Sequence, residues 1–534
     1  MRNIKKILVI FLSAAMLFGL AACSTPAGSG KSAQGTSSNA SSNANANVKA
    51  NDETTITLKP EKPVLKILLQ SSSDDPNARV EAQDIMRVTG YQIEYSALPS
   101  QNATETLMLD VSSGSEYDLI ITRADQFYTL MSAKALTPIN DYVNAIAPEL
   151  WDCVSKPAWA GVTADDGLTY GFPAGFPYDT EVATFIACRM DLLEQAGITK
   201  LPQTLDEFTE MVYKLKDYYG DEYIILTGPY NRNVVGASFN FPLNITAAFG
   251  IYNDWMVDEN GKVIYITEHK NYKKMMDYFA QLYNDGILDH DYAINTVKSV
   301  DEKLSSGKAI LTVHNRDGLA AAVSALEKET GVTLDRIGWI GALTGPDNTC
   351  VVMKTQQYDD ISVIPKTSKN AADVVNFIKL KVANQEYLSI GEKGVHFDYD
   401  ANNNPVPIQP KFNDERNNAH VYKGFVDNEK YKNQWLVRVR KSDAQWSVFN
   451  EVTIKANKER PNIFVEAYFA FADDNAYHKY NSALRENLND YTLQLIMGSK
   501  TVDGSLSQFM SDWAVNGGEE VRQGLQKFYD KNYK

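Results

Sequence analysis

The sequence is poor in cysteine and histidine and has no excess of basic residues. Its 534 residues include four cysteines, six histidines, 52 Lys and Arg, and 67 Asp and Glu, for a net charge of −15. No CxxC pair occurs, which argues against a disulfide framework and a cysteine-rich zinc site. The acidic balance, without a basic cluster, argues against a nucleic-acid partner. At about 100–200 residues per domain, the chain is long enough for two to four domains.

Long apolar runs are also missing, except at the N-terminus. Residues 7–20 are apolar and uncharged, and three basic residues precede them. This is the layout of a secretory signal peptide. The run ends in the sequence LAAC at 20–23, typical of a bacterial lipobox, so we expect residues 1–22 to be removed and Cys23 to carry a lipid anchor. A plain signal peptide with a nearby cysteine is the alternative.

Residues 23–57 are rich in Ser, Asn and Ala and contain hardly any apolar side chains. Such a segment cannot bury enough surface to offset the entropy of ordering it. We therefore predict a disordered tether between the anchor and the folded body.

The body alternates between strand and helix patterns. Strands are predicted at 64–69, 91–95 and 118–121, with a helix at 77–88, which is the opening of a mostly parallel sheet covered by helices. Thr204 and Glu207 form a capping box before an apolar stripe at helical spacing. Two further helical stripes, expected to face the core, run over 272–283 and 371–382.

Short motifs follow one another in a distinctive order, and the matches extend over roughly residues 60–530. They include Tyr117-Asp118-Leu119-Ile120, Tyr170-Gly171-Phe172-Pro173, Arg189-Met190-Asp191-Leu192-Leu193 and Leu282-Tyr283-Asn284-Asp285-Gly286-Ile287-Leu288-Asp289. This order resembles that of family 1 extracellular solute-binding proteins of the carbohydrate ABC-transporter type. Together with the lipobox, it is similar to their large lipoprotein (LipO-like) branch.

The resemblance implies an α/β, two-lobed periplasmic-binding-protein-like fold (type II, maltose-binding-protein-like). Two α/β lobes would be joined by hinge strands around a ligand cleft, with crossings near 181–184 and 352–364. Residues 58–182 and about 360–470 would form lobe 1 and residues 185–350 lobe 2. Residues 471–534 would form C-terminal helices that pack on the lobes.

By the same resemblance, the protein would be a monomeric, non-enzymatic lipoprotein on the outer face of a Gram-positive cell membrane. It would capture an oligosaccharide and hand it to the permease subunits of an ABC importer. Maltose is not expected as the ligand, because the chain lacks the aromatic residues that maltose-binding relatives carry near Thr122 and Asp317. The alternatives are a cell-surface glycoside hydrolase with two carboxylates, or a peptide-binding or sensing lipoprotein of the same fold.

Candidate ligand contacts combine planar polar groups for sugar hydroxyls with aromatic rings for sugar C–H faces. Asp125 is either such a polar contact or a helix N-cap, and the aromatic candidates are either stacking surfaces or core residues. The candidates are Asp125, Tyr178, Ser238, Phe239, Asn240, Trp255, Asn315, Arg316, Trp339 and Trp435.

No cofactor is expected. Residues 398–404 begin like a calcium loop, but Asn403 replaces the turn glycine and Gln409 replaces the bidentate glutamate, which argues against an EF-hand. A surface calcium site of another geometry stays open. Cys153, Cys188 and Cys350 are expected to be buried free thiols.

Overall fold

Two large β-sheets, of five and four strands, organise the described part of the chain. The computed structural model describes residues 56–534 apart from 71–73, 100, 165, 176, 177, 179, 183, 231–242, 316–318, 355–357, 402, 460–462, 470, 471, 473 and 474. The strands of this described part are β1 Leu65–Leu69, β2 Ile93–Ala97, β3 Leu119–Thr122, β4 Phe172–Gly175, β5 Thr184–Arg189, β6 Ile224–Thr227, β7 Trp255–Val257, β8 Val263–Tyr265, β9 Ala309–Asn315, β10 Ile337–Ile340, β11 Val351–Met353, β12 Tyr358–Val363, β13 Phe397–Tyr399, β14 Pro405–Pro407 and β15 Ile463–Val465.

Helices fill most of the chain between these strands. The α-helices of the described part are α1 Val80–Thr89, α2 Ala103–Ser112, α3 Ala124–Ser132, α4 Asn140–Ile146, α5 Lys156–Ala160, α6 Met190–Gln195, α7 Leu205–Tyr219, α8 Leu243–Thr246, α9 Tyr272–Asn284, α10 Val297–Ser305, α11 Leu319–Thr330, α12 Ala371–Ala383, α13 Gln385–Ile390, α14 Lys411–Arg416, α15 Asn428–Val439, α16 Asp443–Phe449, α17 Ala456–Glu459, α18 Asn475–Ile496, α19 Val502–Val515 and α20 Gly518–Tyr533. A π-helical turn, Asn450–Lys455, joins α16 to α17.

The first lobe contains a five-stranded sheet with the order β2-β1-β3-β12-β4. β1 is parallel to β2 and β3, whereas β12 is antiparallel to β3 and β4. Its apolar core combines these strands with α1 and α12. β1, β3 and β4 are buried at almost every position, as is usual for strands covered by helices on both faces.

The second lobe contains a four-stranded sheet with the order β10-β5-β9-β6. β5 is antiparallel to β9 and β10, and β6 is parallel to β9. The core of this lobe takes in side chains from α7, α9 and the C-terminal helices. α18 packs on α9 and α20 packs on β8, so the C-terminal helices lie on the second lobe. The predicted α/β fold with two lobes is confirmed.

The lobe boundary differs from the prediction near residue 440. α15 packs on α13 and β14 of the first lobe, but α16 packs on α11 of the second. Ala444, Val448 and Val452 share an apolar cluster with Phe185 and Trp339 of the second sheet. The predicted extension of lobe 1 to about residue 470 is therefore corrected, because long-range packing places residues 443–456 on lobe 2.

Local sequence patterns predicted several elements closely. Thr204 Oγ1 accepts a hydrogen bond from the Glu207 backbone N–H (3.2 Å), and Glu207 Oε2 accepts one from the Thr204 N–H (3.1 Å), which confirms the capping box. The second strand lies two residues later than predicted, at Ile93–Ala97. The predicted helix at 77–88 is a 3-10 turn at Pro76–Ala78 followed by α1, because Arg79 between them has extended backbone.

The structure also shows the state of three cysteines and the character of the helices. Cys153, Cys188 and Cys350 are buried and unbridged, as expected. Among the helices of the described residues, none combines the length and apolar character that crossing a membrane requires.

Candidate ligand-binding cleft

Among the described residues, three connections join the lobes, and together they define the cleft. The chain passes from Gly175 at the end of β4 to Thr184 at the start of β5, and from Ile340 at the end of β10 to Tyr358 at the start of β12. The third connection lies between α15 and α16. β3 and β4 are both antiparallel to β12, so the end of β4 and the start of β12 lie on the same side of the first sheet. The first two connections therefore meet this sheet along one edge, which is formed by the ends of the strands.

We call this edge and its counterpart in the second lobe the inner edges. The first inner edge contains the carboxyl ends of β1, β3 and β4. The second contains the start of β5 and the carboxyl ends of β6, β9 and β10, because Thr184 pairs with Asn315 in the antiparallel register of β5 and β9. The space between the inner edges is the candidate ligand site, as expected for open α/β sheets.

A hydrogen-bonded hub orders the first inner edge. Gln70, just after β1, donates from Nε2 to the Ile121 carbonyl (2.7 Å) and to Gln126 Oε1 (2.8 Å). Gln126 Oε1 also accepts from the Arg123 backbone N–H (2.9 Å), which fixes the first turn of α3. Asp125 is exposed in that turn and accepts from Thr104 Oγ1 (3.1 Å). The N-cap position of α3 belongs to Arg123, so Asp125 does not cap the helix.

An ion pair lies at the same edge. The Arg123 guanidinium and the Asp360 carboxylate of β12 are 3.2 Å apart. The Arg123 side chain is 46% exposed and the Asp360 side chain 15%, so the pair presents polar atoms toward solvent without an isolated buried charge.

The second inner edge is ordered around Asn244. Its Nδ2 donates to the Thr184 carbonyl (2.8 Å), and Thr184 Oγ1 donates to its Oδ1 (3.2 Å). Asn315 lies opposite Thr184 and is half-buried. His314, its neighbour, is buried against Phe185, and this burial lowers the pKa of His314 to about 4. Asn315 is therefore the β9 residue placed at the edge, and His314 is part of the core.

A buried polar network supports the end of β6. Asp289 Oδ2 accepts hydrogen bonds from Thr227 Oγ1 (2.6 Å), Asn295 Nδ2 (2.9 Å) and Lys303 Nζ (2.6 Å). Burial by itself raises the pKa of Asp289, but these hydrogen bonds outweigh it and hold the pKa below its ordinary value. The network keeps a charged carboxylate beneath the cleft and fixes the chain where it leaves β6.

An aromatic wall runs between the first and third connections. We define it as Tyr178, Phe449 and Trp446. Tyr178 contacts Phe449 edge-on with ring centroids 5.4 Å apart, and Phe449 lies 6.2 Å from Trp446. Phe449 is buried, whereas Tyr178 and Trp446 are partly exposed. Partial burial raises the pKa of Tyr178.

Helical geometry explains the direction of Trp446. On α16, Ala444 and Val448 pack on the second lobe, and Ser447 accepts from the Trp339 indole N–H (2.9 Å). At 3.6 residues per turn, Trp446 lies on the opposite face of the helix. Its ring therefore points away from the second lobe.

Two predicted aromatic contacts are in the core. Trp255 is 1% exposed, donates from its indole N–H to Asn481 (2.9 Å) and packs against Tyr265 and Trp513. Trp339 is 8% exposed and packs edge-on against Phe185. Neither ring has a face open to a ligand, which corrects both assignments.

The remaining predicted contacts divide into three groups. Asp125, Tyr178 and Asn315 lie at the inner edges or on a connection between the lobes. Trp435 is half-buried on α15 beside Tyr431, with ring centroids 6.4 Å apart. The predictions at Ser238, Phe239, Asn240 and Arg316 fall outside the described residues.

The sequence analysis missed Trp446, Phe449 and the Gln70–Gln126 hub. The only sequence signal near Trp446 is a helix start, since Ser442 caps α16 by accepting from the Gln445 N–H (3.4 Å). Nothing in that pattern indicates which lobe the helix packs against. Its place on the second lobe follows from the packing of α16 on α11.

The calcium-like loop is a hairpin turn between β13 and β14. Asp400 accepts from the Asn404 N–H (2.9 Å) and pairs with Arg440 (3.0 Å). Within the part of the chain that the structure describes, no cluster of three or more His, Cys, Asp or Glu side chains is arranged to hold a metal ion.

Comparison with known proteins identifies the family. The model of the bacterial extracellular solute-binding protein family matches residues 73–384. The chain belongs to this family. Lipoprotein LipO of Bacillus subtilis (strain 168) is 24% identical over 514 residues, covering 90% of this chain and 95% of LipO. The resemblance to the large lipoprotein branch is thereby confirmed.

Two further solute-binding relatives are named for carbohydrates. The fructooligosaccharide ABC transporter substrate-binding protein FusA of Streptococcus pneumoniae serotype 4 is 29% identical over 273 residues, or 46% of this chain and 49% of FusA. The polygalacturonan/rhamnogalacturonan-binding protein YtcQ of Bacillus subtilis (strain 168) is 20% identical over 464 residues, or 84% of this chain and 87% of YtcQ.

A solved structure of FusA confirms the fold of this solute-binding protein. The S. pneumoniae FusA EF-hand mutant in complex with fructo-nystose has a TM-score of 0.67 and 19% identity, covering 88% of this chain and 99% of that one. The predicted type II arrangement of two lobes is thus found in the chain's structural neighbours.

Proposed function

We propose that the protein captures an oligosaccharide between its two lobes and delivers it to the permease of an ABC importer, without changing it chemically. The aromatic wall carries this proposal. Tyr178 on the first connection and Trp446 on α16, just after the third connection, present partly exposed rings. A flat apolar face suits the C–H surface of a sugar ring. The polar inner edges around it offer carboxylates and amides as partners for hydroxyls.

The relatives support an oligosaccharide as the ligand. FusA is named for fructooligosaccharides and YtcQ for pectic polysaccharides, so neutral and acidic sugars both occur in the surrounding family. The lobes would close around the ligand by hinge motion at the three connections, as other two-lobed binding proteins do. Transport requires only this reversible closure.

A thermal-shift screen tests the binding step. The protein from residue 24 to 534 would be melted with kestose, nystose and oligogalacturonides, and with fructose and galacturonic acid as monosaccharide controls. A ligand at 100 times its Kd stabilises the folded state by about 2.7 kcal/mol, which raises the Tm by a few degrees. A rise with an oligosaccharide but not with its monosaccharide supports the proposal. New reducing ends during incubation would contradict binding without catalysis.

We also propose that Cys23 anchors the protein by lipid to the outer face of a Gram-positive cell membrane, where it works as a monomer. The LAAC sequence at 20–23 and the lipoprotein relative LipO support this location. Cys23→Ser should move the protein from the membrane fraction to the medium and abolish labelling by a palmitate analogue. Retention of the variant in the membrane would contradict the anchor, and light scattering of the soluble protein measures its oligomeric state.

A further inference from the structure

Arg440 lies at the third connection between the lobes, directly after α15. Its guanidinium donates from Nη1 to Asp400 Oδ2 (3.0 Å), and its central carbon is 4.0 Å from the ring centroid of Trp446. Asp400 belongs to the β13–β14 hairpin, which packs on α15 of the first lobe, whereas Trp446 belongs to α16 on the second lobe. A single side chain therefore contacts both lobes.

The Asp400 end of this contact is held in place. Its carboxylate accepts from the Asn404 backbone N–H (2.9 Å), which closes the hairpin turn around it. The Arg440 side chain is 12% exposed and the Asp400 side chain 29%, so water screens this pair less than it screens an open surface pair. A planar guanidinium fixed at one end by a carboxylate stacks on an aromatic face in a defined orientation, which a lysine ammonium does not reproduce.

The Trp446 end of the contact belongs to the aromatic wall. Arg440 covers one face of the indole ring, and Phe449 of the aromatic wall lies 6.2 Å away at a 31° angle between ring planes. Phe449 belongs to the same helix, α16, so it borders the ring from within the second lobe. Arg440 is the neighbour that limits its orientation from the first lobe.

We infer that Arg440 is a positioning residue that holds the Trp446 ring in the orientation that stacks on the ligand. This inference rests on the proposed oligosaccharide binding. Arg440 acts through Trp446 and makes no ligand contact of its own.

A double-mutant cycle tests this role. Affinities for the oligosaccharide that gives the largest thermal shift would be measured by calorimetry for the parent, Arg440→Lys, Trp446→Leu and the double variant. We expect Arg440→Lys to weaken binding about three- to tenfold in the parent and to have almost no further effect beside Trp446→Leu. An equal loss in both backgrounds would overturn the inference, because it would mean that Arg440 contacts the ligand itself.

Arg87→Lys is the matched control. Arg87 also pairs with an aspartate, Asp84 (2.7 Å), and also stacks on an aromatic ring, that of Tyr387 (5.1 Å), but on α1 of the first lobe. We expect it to leave the affinity unchanged. Asp400→Asn, which removes the carboxylate that holds the guanidinium, should weaken binding in the same direction as Arg440→Lys. Equal losses of affinity in Arg87→Lys and Arg440→Lys would assign both to general destabilisation and overturn the positioning role.

A measurement without ligand separates this inference from the proposed function. The contribution of Trp446 to the emission spectrum is obtained by subtracting the spectrum of Trp446→Phe from that of the parent. The same subtraction would be made with both proteins carrying Arg440→Lys. A change in this difference spectrum supports positioning of the ring even when no oligosaccharide of the panel binds, a result that would count against the proposed function alone. Identical difference spectra would overturn the inference.

Discussion

Asn244 and Thr184 hold the second inner edge together through two hydrogen bonds, one in each direction. Asn244 Nδ2 donates to the Thr184 carbonyl (2.8 Å) and Thr184 Oγ1 donates to Asn244 Oδ1 (3.2 Å). Asn244 is 1% exposed, so no solvent replaces these partners when the side chain is removed. The pair links the start of β5, where the chain enters the second lobe, to α8.

Asn244→Ala should therefore lower the free energy of unfolding by about 1–3 kcal/mol, because it leaves buried polar groups without partners. Urea unfolding followed by circular dichroism measures the change. Asn516→Ala is the control. Asn516 is exposed at the C-terminal end of α19, and its side-chain Nδ2 donates to the Asp512 carbonyl one turn earlier (2.8 Å). Equal effects of the two substitutions would contradict the role assigned to Asn244.

Asp289→Asn should destabilise the protein strongly at neutral pH. The Asp289 side chain is 5% exposed and that of Lys303 16%. The substitution removes the carboxylate 2.6 Å from the ammonium and leaves it with the exposed Asp291 carboxylate at 3.3 Å. We expect a loss of about 3 kcal/mol in the free energy of unfolding, again by urea. Glu302→Gln, which breaks the exposed pair of Glu302 with Lys298 (3.8 Å), should change little.

The effect of Asp289 also has a predicted pH dependence. Its pKa is depressed in the folded protein, so its charge stabilises the fold above about pH 4, the ordinary pKa of an aspartate, and loses this effect as the pH falls through the lower folded value. The difference in the free energy of unfolding between the parent and Asp289→Asn should shrink on acidification. A gap that stays constant down to acid unfolding would show that the carboxylate charge is not what stabilises this site.

Lys381 should make the free energy of unfolding depend on pH on the alkaline side. Its ammonium end is enclosed in the first lobe near the carbonyls of Tyr422 and Lys423, and burial lowers its pKa to about 7. Between about pH 7 and 10 the unfolded chain binds a proton at Lys381 that the folded chain does not, so stability should rise with pH in this window. Lys381→Met should remove this rise, which a pH series of urea titrations measures. Parallel curves for parent and variant would contradict the lowered pKa.

Calcium should leave the Tm unchanged. Asp400 is a carboxylate of the calcium-like hairpin. It already accepts a hydrogen bond from the Asn404 N–H and pairs with Arg440, so calcium would have to compete with the Arg440 guanidinium. Thermal melts with added calcium and with a chelator measure this directly. A Tm that rises with calcium and falls with the chelator would reveal a calcium site in this chain.

Local structure was largely predictable from the sequence. The capping box of Thr204 and Glu207 and the helix that follows depend on contacts between residues three or four positions apart, which a short stretch of sequence contains in full. The alternation of strands and helices likewise indicated an α/β fold before any contact was known. The LAAC sequence at 20–23 predicted an anchor in the same local way.

Residue type alone did not predict the site. Trp255 and Trp446 are equally suited to stack on a sugar, but Trp255 is enclosed by Tyr265, Trp513 and Asn481, all of which lie elsewhere in the sequence. Trp446 stays partly exposed because the chain changes lobes just before it, and the packing of α16 on α11 turns its face of the helix away from the second lobe.

The sequence by itself therefore determined the class of fold, the helices with their caps and the family to which this chain belongs. Only the tertiary structure decided which lobe takes residues 443–456, which aromatic rings are buried and that Arg440 lies between Asp400 and Trp446. The physical reason is the range of the interactions. Helix caps and periodicity arise from neighbours along the chain, whereas burial and ring contacts depend on packing between segments that the fold alone brings together.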